Sequence, residues 1–301
     1  MRVAVTGAGG RLGRALVEAL GDAPFSGPGG PIAWTRNDFD LDRPEVIHEL
    51  LDRDRPEVVV HAAAWTDVDG AAREPSLARR RNADAVHVLA EATATRGIDL
   101  VHVSTNEVFD GRRTDRRGYQ PEDRTNPINS YGRSKLAGEI EAAAAYRTRR
   151  ARLGIVRTAW LYGPPGNDFP SKIWAAAEKA KAAGQRLKVV GDEVGSPTYA
   201  PDVAEAIVDL IGSDDVSGTH HIVNAGIASR ADWARELFLQ ARFAVDIEDV
   251  PASTWERASV PPAWAPLAPT PLPSGEPLRR WQDALADYLP VLVRQRAAAA
   301  R

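Results

Sequence analysis

The feature that most restricts the fold of this chain is a repeated alternation of short apolar runs with longer stretches of helical pattern, beginning within the first few residues. Residues 3–5 lead into a helical stretch at 12–20; runs at 31–34 and 58–61 follow, and a long helical stretch covers 75–96. Further runs at 100–103, 154–157, 187–190 and 220–223 bring the strand candidates to seven, with other helices expected at 44–51, 130–146 and 201–211. Strands separated by helix-length connections pair in parallel, and their crossovers lay helices over both faces of the sheet. The runs are apolar throughout instead of alternating, which suits strands covered on both sides. The fold class is therefore read as α/β, a doubly wound parallel sheet of about seven strands.

What lies outside the alternation differs in kind. Residues 161–186 and 224–301 hold Pro-rich connections, among them Pro261, Pro262, Pro266, Pro269, Pro271 and Pro273, and read as a smaller, mainly helical lobe made from two separated segments. The larger unit comprises residues 1–160 with 187–223, and residues 297–301 read as a helix end. Composition narrows the chemistry. Without any Cys the chain has no disulfide scaffold, cysteine nucleophile, Fe–S cluster or Cys-ligated zinc. A balance of 38 basic against 41 acidic residues offers no basic field for nucleic acid or an anionic membrane, and the run Arg79-Arg80-Arg81 reads as a solvated face. The six histidines show no metal-ligand spacing, so no metal is expected. With no long apolar segment, the protein is expected to be soluble and cytoplasmic.

Between the first run and the first helix the chain reads Thr6-Gly7-Ala8-Gly9-Gly10-Arg11-Leu12-Gly13. Glycines at 7, 10 and 13 meet three needs of a strand-to-helix turn: a positive φ, close approach of a phosphate to backbone N–H groups, and tight packing of helix on strand. A helix N-terminus presents unpaired amides and the positive end of its dipole to a pyrophosphate. The turn is thus expected to bind a dinucleotide through Gly7, Gly10, Arg11, Leu12 and Gly13, which makes the sheet Rossmann-type. The second run ends Trp34-Thr35-Arg36, with Asp38 and Asp40 beyond it. A ribose 2′-hydroxyl favours a carboxylate there and a 2′-phosphate favours Arg. Arg36 therefore points to NADPH, with NADH left open.

Tyr131 and Lys135 stand four apart at the start of a helix, on one face, where an ammonium can lie beside a phenol. A free phenol titrates near 10, and a neighbouring cation lowers that value, making the tyrosine a better proton donor to a carbonyl oxygen. The fourth run ends in Ser104-Thr105-Asn106-Glu107, which puts hydroxyls at the carboxyl edge of a parallel sheet, where such folds bind ligands.

Together these motifs resemble the extended short-chain dehydrogenase/reductases and, within them, the dTDP-4-dehydrorhamnose reductase family. The similar segments are residues 7–13, His61-Ala62-Ala63-Ala64-Trp65-Thr66-Asp67, Asn82, Ser104-Thr105 with Val108-Phe109-Asp110-Gly111, residues 126–139, Arg157-Thr158-Ala159-Trp160, and residues 192–198. The resemblance implies NAD(P)H-dependent reduction of a 4-keto sugar nucleotide with Thr105, Tyr131 and Lys135 as catalytic residues. It also implies Ala62, Ala63 and Ala64 along the adenosine half of the cofactor and Asp40 near the adenine. Trp160 and Phe169 would face the sugar, beside Thr105, Asn106 and Glu107. Two elements depart from the family pattern: Asn106-Glu107 replace Asp-Tyr, and Trp264-Ala265-Pro266-Leu267-Ala268-Pro269 lacks the Arg and Ser of an Arg-Pro-x-x-Ser element. Arg14-Ala15 occupy the place of a glutamate that links dimers through a metal in some members, so a homodimer would form without one. The alternative is a cofactor-binding regulatory subunit similar to the beta subunit of methionine adenosyltransferase.

Overall fold

The computed structural model of the chain describes residues 1–27, 29–213 and 215–299. In chain order, the elements that shape the site begin with β1 (Val3–Thr6), α1 (Arg11–Asp22), β2 (Ile32–Trp34), α2 (Ile47–Asp54), β3 (Val58–His61) and α3 (Ala85–Thr95). They continue with β4 (Asp99–Thr105), α4 (Ser130–Tyr146), β5 (Leu153–Thr158), α5 (Phe169–Ala182), β6 (Leu187–Val190) and α6 (Ala200–Gly212). β7 (Gly218–His221), α7 (Arg230–Gln240), β8 (Ile247–Val250) and α8 (Trp281–Ala299) complete them. Of the helix end expected at residues 297–301, α8 includes 297–299, and Ala300 and Arg301 lie outside the described residues.

The main sheet has six strands in the order β7-β5-β4-β3-β1-β2, and every pairing is parallel. Its side chains alternate between faces. Val3 and Val5 pack with Leu12, Leu16 and Leu20 of α1 and with Val203 and Ile207 of α6 on one side. Ala4, Val59 and Leu100 meet Leu51 of α2, Leu89 of α3 and Ala142 of α4 on the other. Each of these leucines contributes roughly 1.5–3 kcal/mol on burial, so the two helix layers hold the sheet. This is the doubly wound arrangement expected from the alternation.

The strand count requires one correction. Leu187–Val190 is a strand, but it pairs in parallel with β8 and stands outside the main sheet, which leaves six strands there and not seven. Its Leu187 and Val189 belong to the lobe's own core, with Trp174, Trp233, Phe238, Leu285 and Tyr288. A short apolar run satisfies either sheet equally well, and the competing partner, Ile-Glu-Asp-Val at 247–250, carries too many carboxylates to read as a strand. The long helical stretch expected at 75–96 is continuous through Thr95 but not uniform: Pro75–Arg79 is followed by one wide π turn at Arg80–Asp84 before α3 begins. That turn directs Asn82 into the interior, where its amide hydrogen-bonds the backbone of Trp65 (2.8 and 3.0 Å) and the Ser134 hydroxyl (3.0 Å).

Candidate active site

Where β1 meets α1, Gly7 takes φ +66°, and a Cβ there would stand 2.8 Å from the Cα of Ala63. A Cβ on Gly13 would stand 2.1 Å from the Gly7 carbonyl oxygen, so the helix can lie this close to the turn only without a side chain. Gly10 is the N-cap and offers no side-chain acceptor, and the first turn of α1 holds no acidic residue. The amides of the first turn therefore face the cleft without competition, which is what a pyrophosphate requires. The residues present fit a dinucleotide.

Two adjoining cavities follow from this turn. The smaller, about 270 Å³, is lined by Arg36, Asp40, Ala62, Ala63 and Ala64, all anticipated, and also by Phe39 and Arg81. Arg81 was read from sequence as part of a solvated face. The π turn instead brings it over the Trp65 ring (5.3 Å), paired with Asp42 (2.7 Å from Nε), so two guanidiniums border the pocket beyond β2. The larger cavity, about 460 Å³, joins Gly10, Arg11, Leu12 and Gly13 to Thr105, Asn106, Glu107, Tyr131, Lys135 and Trp160. Arg11 reaches it by position, while its guanidinium is turned to the carbonyls of Gly163 (3.1 Å) and Gly166, tying α1 to the lobe.

The start of α4 positions the phenol. Asn129 caps the helix by accepting from the Gly132 N–H (2.8 Å), and a Cβ on Gly132 would stand 2.1 Å from the Glu107 carbonyl oxygen. Glycine after Tyr131 thus lets the helix start press against the loop that follows β4. Burial and the nearby Glu107 carboxylate push the Tyr131 phenol above its ordinary value, with the Thr105 hydroxyl acting in the opposite sense. Lys135 is buried and donates from Nζ to the Val103 carbonyl (2.8 Å). Desolvation brings it down to about 8 against the pull of Glu139. The ammonium is held at the β4 backbone, and burial is the largest influence on the phenol. Thr105 ends β4 with its hydroxyl accepting from the Glu107 N–H (3.2 Å) while it lines the cleft.

The two departures from the family pattern touch one another. Asn106, almost fully buried, donates from its amide to the Ala265 carbonyl (3.0 Å), a bond that an aspartate in that place could not make. Asn129 donates to the Glu107 carboxylate (2.6 Å) and to the Val260 carbonyl (3.2 Å). The Pro-rich segment 257–268 is therefore held beside the cleft as a strap, fastened further by Ser259 N–H to Asp69 (3.0 Å) and Trp264 N–H to the Gly111 carbonyl (3.2 Å).

Trp160, held at φ +42°, lies on Gly195, where a Cβ would come within 2.5 Å of the ring. Phe169 does not border the cleft. It stacks on Trp233 (4.7 Å between centroids) within the lobe's aromatic cluster, because α5 begins there with its first side chain facing the core. Arg230, which the sequence reading missed, does line the larger cavity, with its guanidinium 3.5 Å above the Trp160 ring. A Ser229-to-Asp232 capping box marks the start of α7 in the sequence, but nothing local says where that start points.

A glycine turn on a parallel sheet, with a hydroxyl, a phenol and an amine gathered at the end of β4 in one cleft, defines the class: a short-chain dehydrogenase/reductase, an oxidoreductase built on a nucleotide-binding sheet. Residues 1–293 match the family model described as the RmlD substrate binding domain, and the chain belongs to that family. It is 36% identical over 295 residues to the dTDP-4-dehydrorhamnose reductase of Mycobacterium tuberculosis H37Rv, covering 96% of this chain and 92% of that one. It is 36% identical over 298 residues to the dTDP-4-keto-6-deoxy-D-glucose reductase of Streptomyces niveus, covering 96% of each. The crystal structure of dTDP-4-dehydrorhamnose reductase from Bacillus anthracis in complex with NADP superposes with a TM-score of 0.85 at 30% identity, covering 96% of this chain and 99% of that one. Among the described residues no helix is long and apolar enough to cross a membrane.

Proposed function

We propose that the protein reduces the ketone of a dTDP-4-keto-6-deoxyhexose at the expense of NADPH. The observation that carries this reading is the convergence of Thr105, Tyr131 and Lys135 with the uncapped α1 N-terminus on a single cavity. The two named relatives act on 4-keto-6-deoxy sugars attached to dTDP, and the Bacillus anthracis structure holds NADP. Gly7, Gly10 and Gly13 would hold the pyrophosphate and Arg36 with Arg81 the 2′-phosphate, while Asp40 and Ala62–Ala64 border the adenosine. When bound, the nicotinamide supplies the hydride.

The chain's own residues manage the proton. A raised phenol is fully protonated at neutral pH, so Tyr131 carries a proton ready for the carbonyl oxygen, and the Thr105 hydroxyl orients that oxygen. Lys135, in the same cavity, holds positive charge up to about pH 8 and would favour the phenolate as it forms. Trp160 forms part of the cleft wall beside these groups. A binding subunit has no use for a buried proton-donating phenol, so the intact set favours the enzyme. A metal-independent homodimer in the cytoplasm belongs to the same reading.

The test is NADPH oxidation by the purified protein with dTDP-4-keto-6-deoxyhexoses. Tyr131→Phe is expected to lower kcat by about 100-fold or more, the usual share of a general acid, with NADPH affinity unchanged. Unchanged turnover in that variant would remove Tyr131 from the mechanism.

A further inference from the structure

Arg230 is the cation nearest the reacting groups that the reading above leaves without a task. Its guanidinium rests flat on the Trp160 ring (3.5 Å), with the Phe169 ring 5.3 Å away, and its side chain is only 25% exposed. Burial brings it down to about 10, with Glu193 and Glu107 opposing. Its closest anionic neighbour is Glu193, whose carboxylate stands 3.8 Å from Nε, beyond hydrogen-bond distance. Among the described residues no hydrogen bond from the Arg230 side chain is shorter than 3.5 Å, although it borders the same cavity as Thr105, Glu107 and Tyr131. A guanidinium has five donors, and those turned to the cleft are available to a ligand that enters it.

The charges around it decide what kind of ligand that is. Arg257 lies 3.8 Å from Glu193 and 3.7 Å from Asp69, forming a chain Asp69–Arg257–Glu193–Arg230 that meets the cleft at Arg230. Asp69 and Glu193 thus offset the two guanidiniums, and Glu107, raised by burial, is a further carboxylate near Arg230. A diphosphate brought here would add negative charge to a wall that already has none to spare. Hydroxyl and carbonyl oxygens accept the same N–H donors without adding charge.

We propose that Arg230 is a substrate-contact residue: seated on Trp160 and steadied by Glu193, it donates hydrogen bonds to oxygens of the hexose ring and so selects which 4-keto sugar is accepted. This rests on the reductase reading above. Guanidinium geometry favours two neighbouring oxygens over one, which makes the site sensitive to hydroxyl configuration beside the ketone.

The experiment compares Arg230→Met and Arg230→Lys with the wild-type full chain in NADPH oxidation, using dTDP-4-keto-6-deoxyglucose and dTDP-4-dehydrorhamnose, alongside binding of NADPH and of dTDP alone. The Met variant is expected to lose about 10- to 100-fold in kcat/KM, the range for lost charge-assisted hydrogen bonds, while both binding constants stay within twofold of wild type. The Lys variant keeps the charge but not the fork, so it should recover part of that loss and change the ratio between the two sugars. It carries the test alone if the Met variant does not fold. Kinetics equal to wild type on both sugars overturn the proposal, and so does an equal loss of affinity for dTDP, which would put Arg230 on the diphosphate. A wild-type protein that reduces neither sugar overturns the reading of function itself, and the proposal with it.

Discussion

The adenosine end of the cleft is built from one contiguous turn and the ends of three adjacent strands, whereas the substrate end draws Glu107, Tyr131, Trp160, Glu193, Arg230 and Arg257 from widely separated parts of the chain. The first recognises its ligand through backbone amides, missing side chains and a cationic border. The second works through side chains on a wall whose charges nearly cancel. Backbone recognition depends on a conformation that a few glycines secure, so it can be encoded within seven residues. Side-chain recognition depends on how the lobe packs, so its parts are free to differ between relatives without disturbing the sheet. Asn106 and the strap show this: both depart from the family pattern, and they meet in one hydrogen bond.

If the two ends are separable, damage to one should leave the other intact. The largest effect is expected from Gly13→Val, whose branched side chain would enter the space of the Gly7 carbonyl. NADPH affinity should fall by about 100-fold or more, since a bulk change here displaces the turn that carries the amides, whereas dTDP binding should be retained. Fluorescence titration of both ligands checks it, and parallel losses would break the separation. A smaller effect is expected from Arg36→Ala: KM for NADPH should rise about 10- to 100-fold with little change for NADH, because one charge-assisted pair is lost. Equal effects on both cofactors would move Arg36 away from the 2′-phosphate.

The smallest effect sharpens the comparison at the catalytic junction. With Lys135 brought down to about 8, kcat/KM should decline above that pH, by about fivefold between pH 8 and 9. The sign for stability is opposite. An unfolded lysine titrates near 10.4, so between 8 and 10.4 the unfolded chain binds more protons than the folded one, and the lysine's contribution to folding stability rises with pH there. An alkaline loss of rate without a loss of thermal stability would therefore identify titration in the site and not unfolding. A rate that stays flat to pH 10 would separate Lys135 from the reaction.

Much of this was legible in the residues. Gly7, Gly10 and Gly13 announced the turn because a positive φ and two close approaches allow little else, and Tyr131 and Lys135 shared a helix face by spacing alone. Leu187–Val190 was readable as a strand but not as a strand of the lobe, since its pattern suits either partner. Phe169 looked like a residue facing the sugar and stands partly buried against Trp233 in the lobe's aromatic cluster, while Arg81 looked like surface and proved to border the smaller cavity. Both errors concern which way an element faces after its neighbours pack, and periodicity does not report that.

The sequence by itself determined the parallel α/β sheet, the glycine turn and the placement of Tyr131 and Lys135 on one helix face, because each rests on backbone geometry or spacing within one or two consecutive elements. Only the tertiary structure decided that Arg230 and Trp160 share a wall with Tyr131, that Asn106 fastens the strap, and that burial raises the phenol. Those outcomes depend on desolvation and on contacts between residues as much as 159 positions apart, which exist only once the lobe has docked on the sheet.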